Sequence, residues 1–321
     1  MRVLIFANMY PNIDNPVNGI FIKEQLDSFK IHYPMHDVDV LPITEGGAIS
    51  KYITSAFKLF KKLTVYKPDI IHVHFGLSFL PLFLLLPYIK FKRIKLVTTF
   101  HGSDVLGKNR LTKLVSALAA KYSDALISVS KQIQNKLDNK NRTNHYLPCG
   151  VSEEFIELSK ATQDERSNKI IFPSTPTRPE KNYPLFERLT AKLYCELGAD
   201  NFECVSMHGL SRKEVVNLFK TSKCLVLTSL YEGSPQVIKE AIVCDLPIVS
   251  TPVGDVPHLL KNERLSVVSE NELELLNGIR KFLIEKSPIL NFNETTKLSV
   301  GNDLVSSRLN GIYTQLLDTI G

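Results

Sequence analysis

Residues 224–241 read Cys-Leu-Val-Leu-Thr-Ser-Leu-Tyr-Glu-Gly-Ser-Pro-Gln-Val-Ile-Lys-Glu-Ala, and this pattern decides the fold. The run Cys224–Leu227 has the length and composition of a buried strand. Gly233, Ser234 and Pro235 turn the chain, and Pro235 suits the first position of a helix because its fixed φ is already helical. Val237, Ile238, Ala241 and Ile242 then form an apolar stripe at helical spacing. Glu232 therefore falls in the loop at the carboxyl end of a strand, and Glu240 on the edge of the next helix. The N–H groups between them favour an anion. Two hydroxyl-accepting carboxylates around such a helix start suit a sugar joined to a ribose through a diphosphate.

The same grammar runs outward in both directions. Strand-like runs fall at 3–7, 38–42, 70–74, 96–100 and 125–129, and again at 170–172, 203–207, 224–227, 248–250 and 265–268. Longer amphipathic or polar segments separate them. This alternation predicts an α/β chain of two doubly wound, Rossmann-like domains facing across a cleft. Ligands of such sheets bind at the carboxyl ends of the strands. We place the first domain at residues 1–155 and the second at 156–302, with 159–169 as the linker. Residues 303–321 carry an apolar helical stripe and are expected to cross back onto the first domain. Residues 291–302 read as a loop before it.

The chain has 321 residues, enough for two cores. Its first seven residues hold one basic residue and an apolar run too short for a secretory signal, so they read as a strand. Five cysteines, odd in number and without Cys-x-x-Cys spacing, exclude a disulfide framework and predict buried thiols in a reducing cytosol. Charge is divided unevenly. Residues 1–150 hold 20 Lys and Arg against 10 Asp and Glu, while the remainder holds 19 against 23. A basic first half implies an anionic partner.

Two segments explain that excess. Residues 51–67 mix five lysines with Ile53, Phe57, Leu59, Phe60 and Leu63; residues 77–89 are apolar and run into Lys90, Lys92, Arg93 and Lys95. Thirteen apolar residues are too few to span a bilayer. They read either as a buried helix beside a solvated basic turn or as a surface that docks on anionic lipid headgroups.

Other candidate sites lie past strand ends. Gly19, in the turn before a helix beginning near Ile20, lets the backbone approach a phosphate closely. His101 and Asp104 follow the fourth strand; Gly102 beside them favours an exposed turn, where an imidazole can bond a sugar hydroxyl or a leaving oxygen. Arg178 and Lys181 follow the first strand of the second half, where two cations can clamp a diphosphate. His72 and His74 share one face of a strand, but no acid or Cys completes a set, so no metal site is expected.

Taken together, these segments resemble the family-4 retaining glycosyltransferases with the GT-B fold. The likeness runs through the Gly19 turn, residues 69–74 and 99–104, Ser128-Val-Ser130, Leu147-Pro-Cys-Gly-Val151, residues 178–182, the Glu232 to Glu240 segment and Val253-Gly-Asp-Val-Pro257. The resemblance implies transfer of a hexose from a nucleoside-diphosphate sugar, with retention and without a metal or other cofactor. It implies Glu232 and His101 at the sugar, with Gly233 and Ser234 lining its pocket and Glu240 on the ribose. Arg178, Lys181 and the Gly19 backbone would hold the diphosphate. The expected acceptor is a lipid-linked glycan or glycolipid, at the inner face of the cell membrane, with no nucleic-acid partner. A nucleotide-sugar epimerase or hydrolase on the same fold, and a non-catalytic sugar-nucleotide-binding partner, are the alternatives. There are departures from the family pattern: Ser174–Thr177 holds no Arg, Cys149 stands where Asn is common, and Asp245 where Gly is common.

Overall fold

The computed structural model of the chain describes residues 1–43, 50–137, 143–160, 166–284 and 291–318. Its α/β elements fall into two compact units, Met1–Gly150 with Asn302–Gly321, and Val151–Gly301.

Unit 1 opens with β1 (Arg2–Ala7), α1 (Ile20–His32), β2 (Asp37–Pro42), α2 (Ser50–Tyr66) and β3 (Ile70–His74). A 3-10 turn, Gly76–Phe79, leads into α3 (Leu80–Phe83) and α4 (Leu86–Phe91). There follow β4 (Lys95–Phe100), α5 (Arg110–Tyr122), β5 (Ala125–Ser128), α6 (Lys131–Leu137) and β6 (Thr143–Tyr146). The strands lie in the order β2-β1-β3-β4-β5-β6, every neighbouring pair parallel.

Unit 2 comprises α7 (Glu153–Ser159), β7 (Lys169–Phe172), α8 (Tyr183–Leu197), β8 (Glu203–Ser206), α9 (Arg212–Thr221) and β9 (Cys224–Leu227). It continues with α10 (Gln236–Val243), β10 (Ile248–Ser250), α11 (Val256–Leu259), β11 (Ser266–Val268), α12 (Glu272–Ile284) and α13 (Glu294–Ser299). Its parallel sheet runs β11-β10-β9-β7-β8. The two ends of the unit meet, since the Val151 N–H donates to the Val300 carbonyl at 2.7 Å. The chain then closes with α14 (Asn302–Asp318), which belongs to unit 1.

Strand periodicity builds the cores. In β1, Leu4 and Phe6 pack against Leu59 of α2, Leu82 of α3 and Ala119 of α5. The alternate residues Val3 and Ile5 pack against Leu26 of α1 and Leu309 of α14. The last helix is tied to the first by Ser306 Oγ donating to Ser28 Oγ at 3.1 Å, and to the turn after α1 by a 3.0 Å bond between His36 and Asn310.

The structure departs from expectation in four places. Unit 1 has a sixth strand, β6, whose Thr-Asn-His-Tyr sequence lacks an apolar run because it is an edge strand with one partner. Residues 294–299 form α13, not loop. The stretch 159–169 expected as a linker lies inside unit 2, and residues 161–165 of it are outside the described residues. Cys149, Cys224 and Cys244 are buried free thiols, whereas Cys195 sits exposed on α8, a helix with one face in water.

Candidate functional site

In unit 2 the strand order reverses between β7 and β9, the point where a doubly wound sheet opens a crevice at its carboxyl edge. The loop after β7 carries Arg178 and Lys181; the loop after β9 carries Glu232. Backbone bonds lace the two loops together. The Leu230 N–H donates to the Glu180 carbonyl at 2.9 Å, and Thr228 Oγ1 donates to the Lys181 carbonyl at 3.0 Å. Lys181 Nζ consequently lies 2.5 Å from Glu232 Oε1, with both side chains largely withdrawn from water. Ser229 Oγ donates to the same oxygen at 2.7 Å. Arg178 does not join them. It is turned to Glu180, 2.7 Å from Nε to Oε1, and its side chain is more than half exposed.

The loop after Glu232 is braced from beneath. Ser234 Oγ donates to Asp255 Oδ2 at 2.6 Å and accepts from Lys239 Nζ, which lies 3.7 Å from that same carboxylate oxygen. Lys239 and Asp255 are both fully buried. Burial pushes the Asp255 carboxyl up, and the Lys239 ammonium pulls it back. Gly254 has φ +58°, and a Cβ there would meet the Gly233 carbonyl oxygen at 2.3 Å, so only glycine lets these two loops approach. Ser234 thus spends its hydroxyl on the brace. Among the described residues no hydrogen bond engages the N–H of Gly233 or of Ser234. Pro235 is the cap residue before α10, with ψ 114°, and not its first helical position. Neither Lys239 nor Asp255 was foreseen; the available signal was a lysine set among the apolar residues of the stripe.

Glu240 is buried, and its Oε1 accepts from Arg212 Nη1 at 2.7 Å. Arg212 opens α9 immediately after the Ser211 capping box, and its guanidinium lies 4.5 Å over the Phe155 ring. A second carboxylate is therefore held in orientation by a cation the sequence reading did not include. Asp245, where glycine is common, takes the left-handed conformation at φ 52° and uses its carboxylate on the Phe292 N–H and Lys297 Nζ at 2.7 and 2.8 Å.

Unit 1 presents its candidates at the carboxyl ends of β1, β3 and β4. Gly19 caps α1 with φ 69°, and a Cβ there would stand 2.6 Å from the Met9 carbonyl oxygen, so the tight turn demands glycine. Two residues on, the Phe21 ring lies 5.1 Å from the His101 ring. His101 ends a row of three stacked imidazoles, with centroids 4.3 Å apart between His72 and His74 and 5.3 Å between His74 and His101. His72 Nδ1 is 2.5 Å from Tyr313 Oη and its Nε2 is 2.6 Å from Thr99 Oγ1. His74 Nδ1 and His101 Nε2 are 3.1 Å apart, and His101 Nδ1 is 4.0 Å from Cys149 Sγ. Burial lowers all three pKa values, His74 to about 3. The row is neutral, and His72 and His74 serve it as partners. Among the described residues no group of His, Cys, Asp and Glu is placed to hold a metal. Asp104 is no free acid either: its carboxylate accepts the N–H groups of Gly76, His101 and Gly102 and shapes the turn.

The family model described as Glycosyltransferase Family 4 matches residues 20–155, and the model described as Glycosyl transferases group 1 matches residues 200–298. The chain is 24% identical over 225 residues to the N-acetyl-alpha-D-glucosaminyl L-malate synthase of Bacillus anthracis, covering 60% of this chain and 59% of that one. The chain thus spans about three fifths of that relative's length. Among solved structures, the sucrose-phosphate synthase of Thermosynechococcus elongatus superposes with a TM-score of 0.72 at 14% identity, over 99% of each chain. The HepE protein of Anabaena, solved in complex with UDP-glucose, gives 0.63 at 14% identity over 100% of this chain and 99% of that one.

Proposed function

Because the chain belongs to the family-4 glycosyltransferases of the GT-B fold, we propose that it moves a hexose from a nucleoside-diphosphate sugar to a hydroxyl acceptor, with retention and without a metal. The observation that carries this reading is the Lys181–Glu232 pair at the topological switch point of unit 2. A nucleoside-diphosphate sugar asks for a cation at its phosphates and carboxylates at its hydroxyls, and that crevice has both.

The chemistry to be done is rupture of a glycosyl–phosphate bond while negative charge grows on the departing diphosphate. Lys181 and the N–H groups of Gly233 and Ser234 supply positive charge and donors already in place, and such preorganisation is the main expected source of rate. Glu232, released from Lys181 by the incoming phosphate, accepts hydroxyl protons of the hexose and fixes its orientation. Glu240, held by Arg212, does the same for the ribose. The acceptor oxygen bonds to the anomeric carbon on the face that the leaving group vacates. The electron pair of the broken bond stays on the phosphate oxygen, which takes the acceptor's proton. In unit 1, the Gly19 turn offers backbone to a phosphate, and His101 offers a neutral imidazole to a sugar hydroxyl once it exchanges its bond with His74 or Cys149.

The complex of HepE with UDP-glucose makes a uridine donor the first to test. The Bacillus anthracis relative is named for a glucosaminyl L-malate product, so a lipid-linked glycan or glycolipid acceptor at the inner membrane face rests on the surface of unit 1 alone. The test is incubation with labelled nucleoside-diphosphate sugars and a lipid extract. Label moving into the lipid fraction supports the reading. Free or isomerised sugar from donor alone would assign a hydrolase or epimerase, and tight donor binding without turnover on any acceptor would assign a binding partner.

A further inference from the structure

Helices α2 to α5 pack on one face of the unit 1 sheet. They hold eight Lys and Arg and no Asp or Glu. At the chain's own frequency of acids, helices of this combined length would hold about four. The same helices, and the turn between α3 and α4 that holds Leu84, present large apolar side chains to solvent. Phe57 is 74% exposed, Leu84 76% and Phe91 80%. On α5, Leu111, Leu114 and Leu118 are exposed at intervals of three and four, a stripe that a surface helix ordinarily buries. The stripes of α2 and α4 adjoin, for the Phe60 and Tyr88 rings meet edge to face with centroids 5.4 Å apart.

A cavity of about 520 Å³ opens on the same layer where α4 turns into β4. Lys90, Arg93 and Lys95 line it with Tyr122, and among the described residues none of the three cations has a carboxylate partner. Asp124, also on its wall, has Oδ2 committed to the Leu96 N–H at 2.7 Å. Beside it Lys92 Nζ lies 5.4 Å over the Phe91 ring, an ammonium riding on an exposed aromatic. Cations with apolar stems and aromatic neighbours belong at the boundary between headgroups and acyl chains.

We propose that this layer docks on a bilayer containing anionic phospholipid, with one headgroup phosphate seated among Lys90, Arg93 and Lys95. Each feature requires that occupant. A free phosphate would leave Phe57, Leu84 and Phe91 in water. A second copy of the chain would set one predominantly cationic face against another, even with Lys62 paired to Asp39 of β2, and like charges repel. Among the described residues no helix is long and apolar enough to cross a membrane, so the contact is peripheral.

Docking and turnover are read separately. The full chain is floated with phosphatidylcholine vesicles and with vesicles that also contain phosphatidylglycerol, at low and high salt. Recovery is expected with the anionic vesicles only, and to fall several-fold at high salt. Lys90→Gln with Lys95→Gln should weaken recovery roughly tenfold or more, since each cation near the surface contributes about 1 kcal/mol. Phe57→Ser with Phe91→Ser should weaken it even at low salt, and both pairs lie on the surface, where thermal unfolding should be unchanged. Equal recovery with neutral vesicles, or variants that float like the parent, would overturn the proposal. So would a stable dimer lost in the same variants without vesicle recovery, which would give the face to a second copy.

Discussion

Lys181 and Glu232 are 51 residues apart in sequence and 2.5 Å apart in space, and the proposed chemistry depends on both standing at one place in the crevice. Lys181→Ala and Glu232→Ala should each lower kcat/KM by about two to three orders of magnitude, measured in steady-state assays on chains that melt normally. Arg178 separates from them in the structure. Its exposed bond to Glu180 is of the kind that contributes little, and Arg178→Ala should cost less than about tenfold in kcat/KM. If Arg178→Ala proves as damaging as Lys181→Ala, the assignment of one cation to the diphosphate is wrong. Both residues were legible in the sequence as charges past a strand end, but their difference was not. Which way a long side chain turns is set by neighbours such as Ser229 and Glu180, and these are brought near by folding.

At the scale of the elements, two buried polar groups carry stability consequences. The Lys239–Asp255 pair fastens the start of α10 to the loop before α11. Lys239→Met alone strands a buried carboxylate and should destabilise unit 2 by about 3–5 kcal/mol in urea unfolding. Adding Asp255→Leu should restore a large part of that, because the second change removes the stranded charge. Losses that simply add would refute the coupling. The histidines of β3 give a pH dependence. His72 and His74 are neutral when folded, with pKa values depressed by burial, and regain an ordinary value near 6.5 on unfolding. Above that value they cost nothing, and as pH falls from 6.5 towards about 3 the unfolded chain binds protons that the folded chain refuses. Stability should therefore drop on acidification by up to about 1.4 kcal/mol per pH unit for each histidine, a slope that His72→Asn should reduce. The strands themselves were readable because parallel strands buried on both faces are short apolar runs. The exception, β6, is a polar edge. The buried lysine of α10 escaped because sequence pattern assigns lysine to water, and the exposed leucines of α5 escaped because the same pattern assigns leucine to a core.

For the whole molecule, sequence order did most of the work. Two successive series of strand and helix specified two doubly wound sheets, and in each the reversal point falls after the first strand of the series. Charge was equally legible as a sum, with the basic excess confined to residues 1–150. Part of it was also legible as two segments, 51–67 and 90–95; that α2 to α5 share one face of the unit 1 sheet required the fold, since β3 and β4 separate them in the chain. The most direct measurement is calorimetric titration of UDP-glucose and other nucleoside-diphosphate sugars into the full chain and its Lys181→Ala, Glu240→Ala and Arg178→Ala forms. We expect one of these donors to bind the parent and Arg178→Ala with similar affinity, and to bind Lys181→Ala and Glu240→Ala at least tenfold more weakly. Equal affinity across all four chains would show that the crevice between β7 and β9 is not where the activated sugar lies.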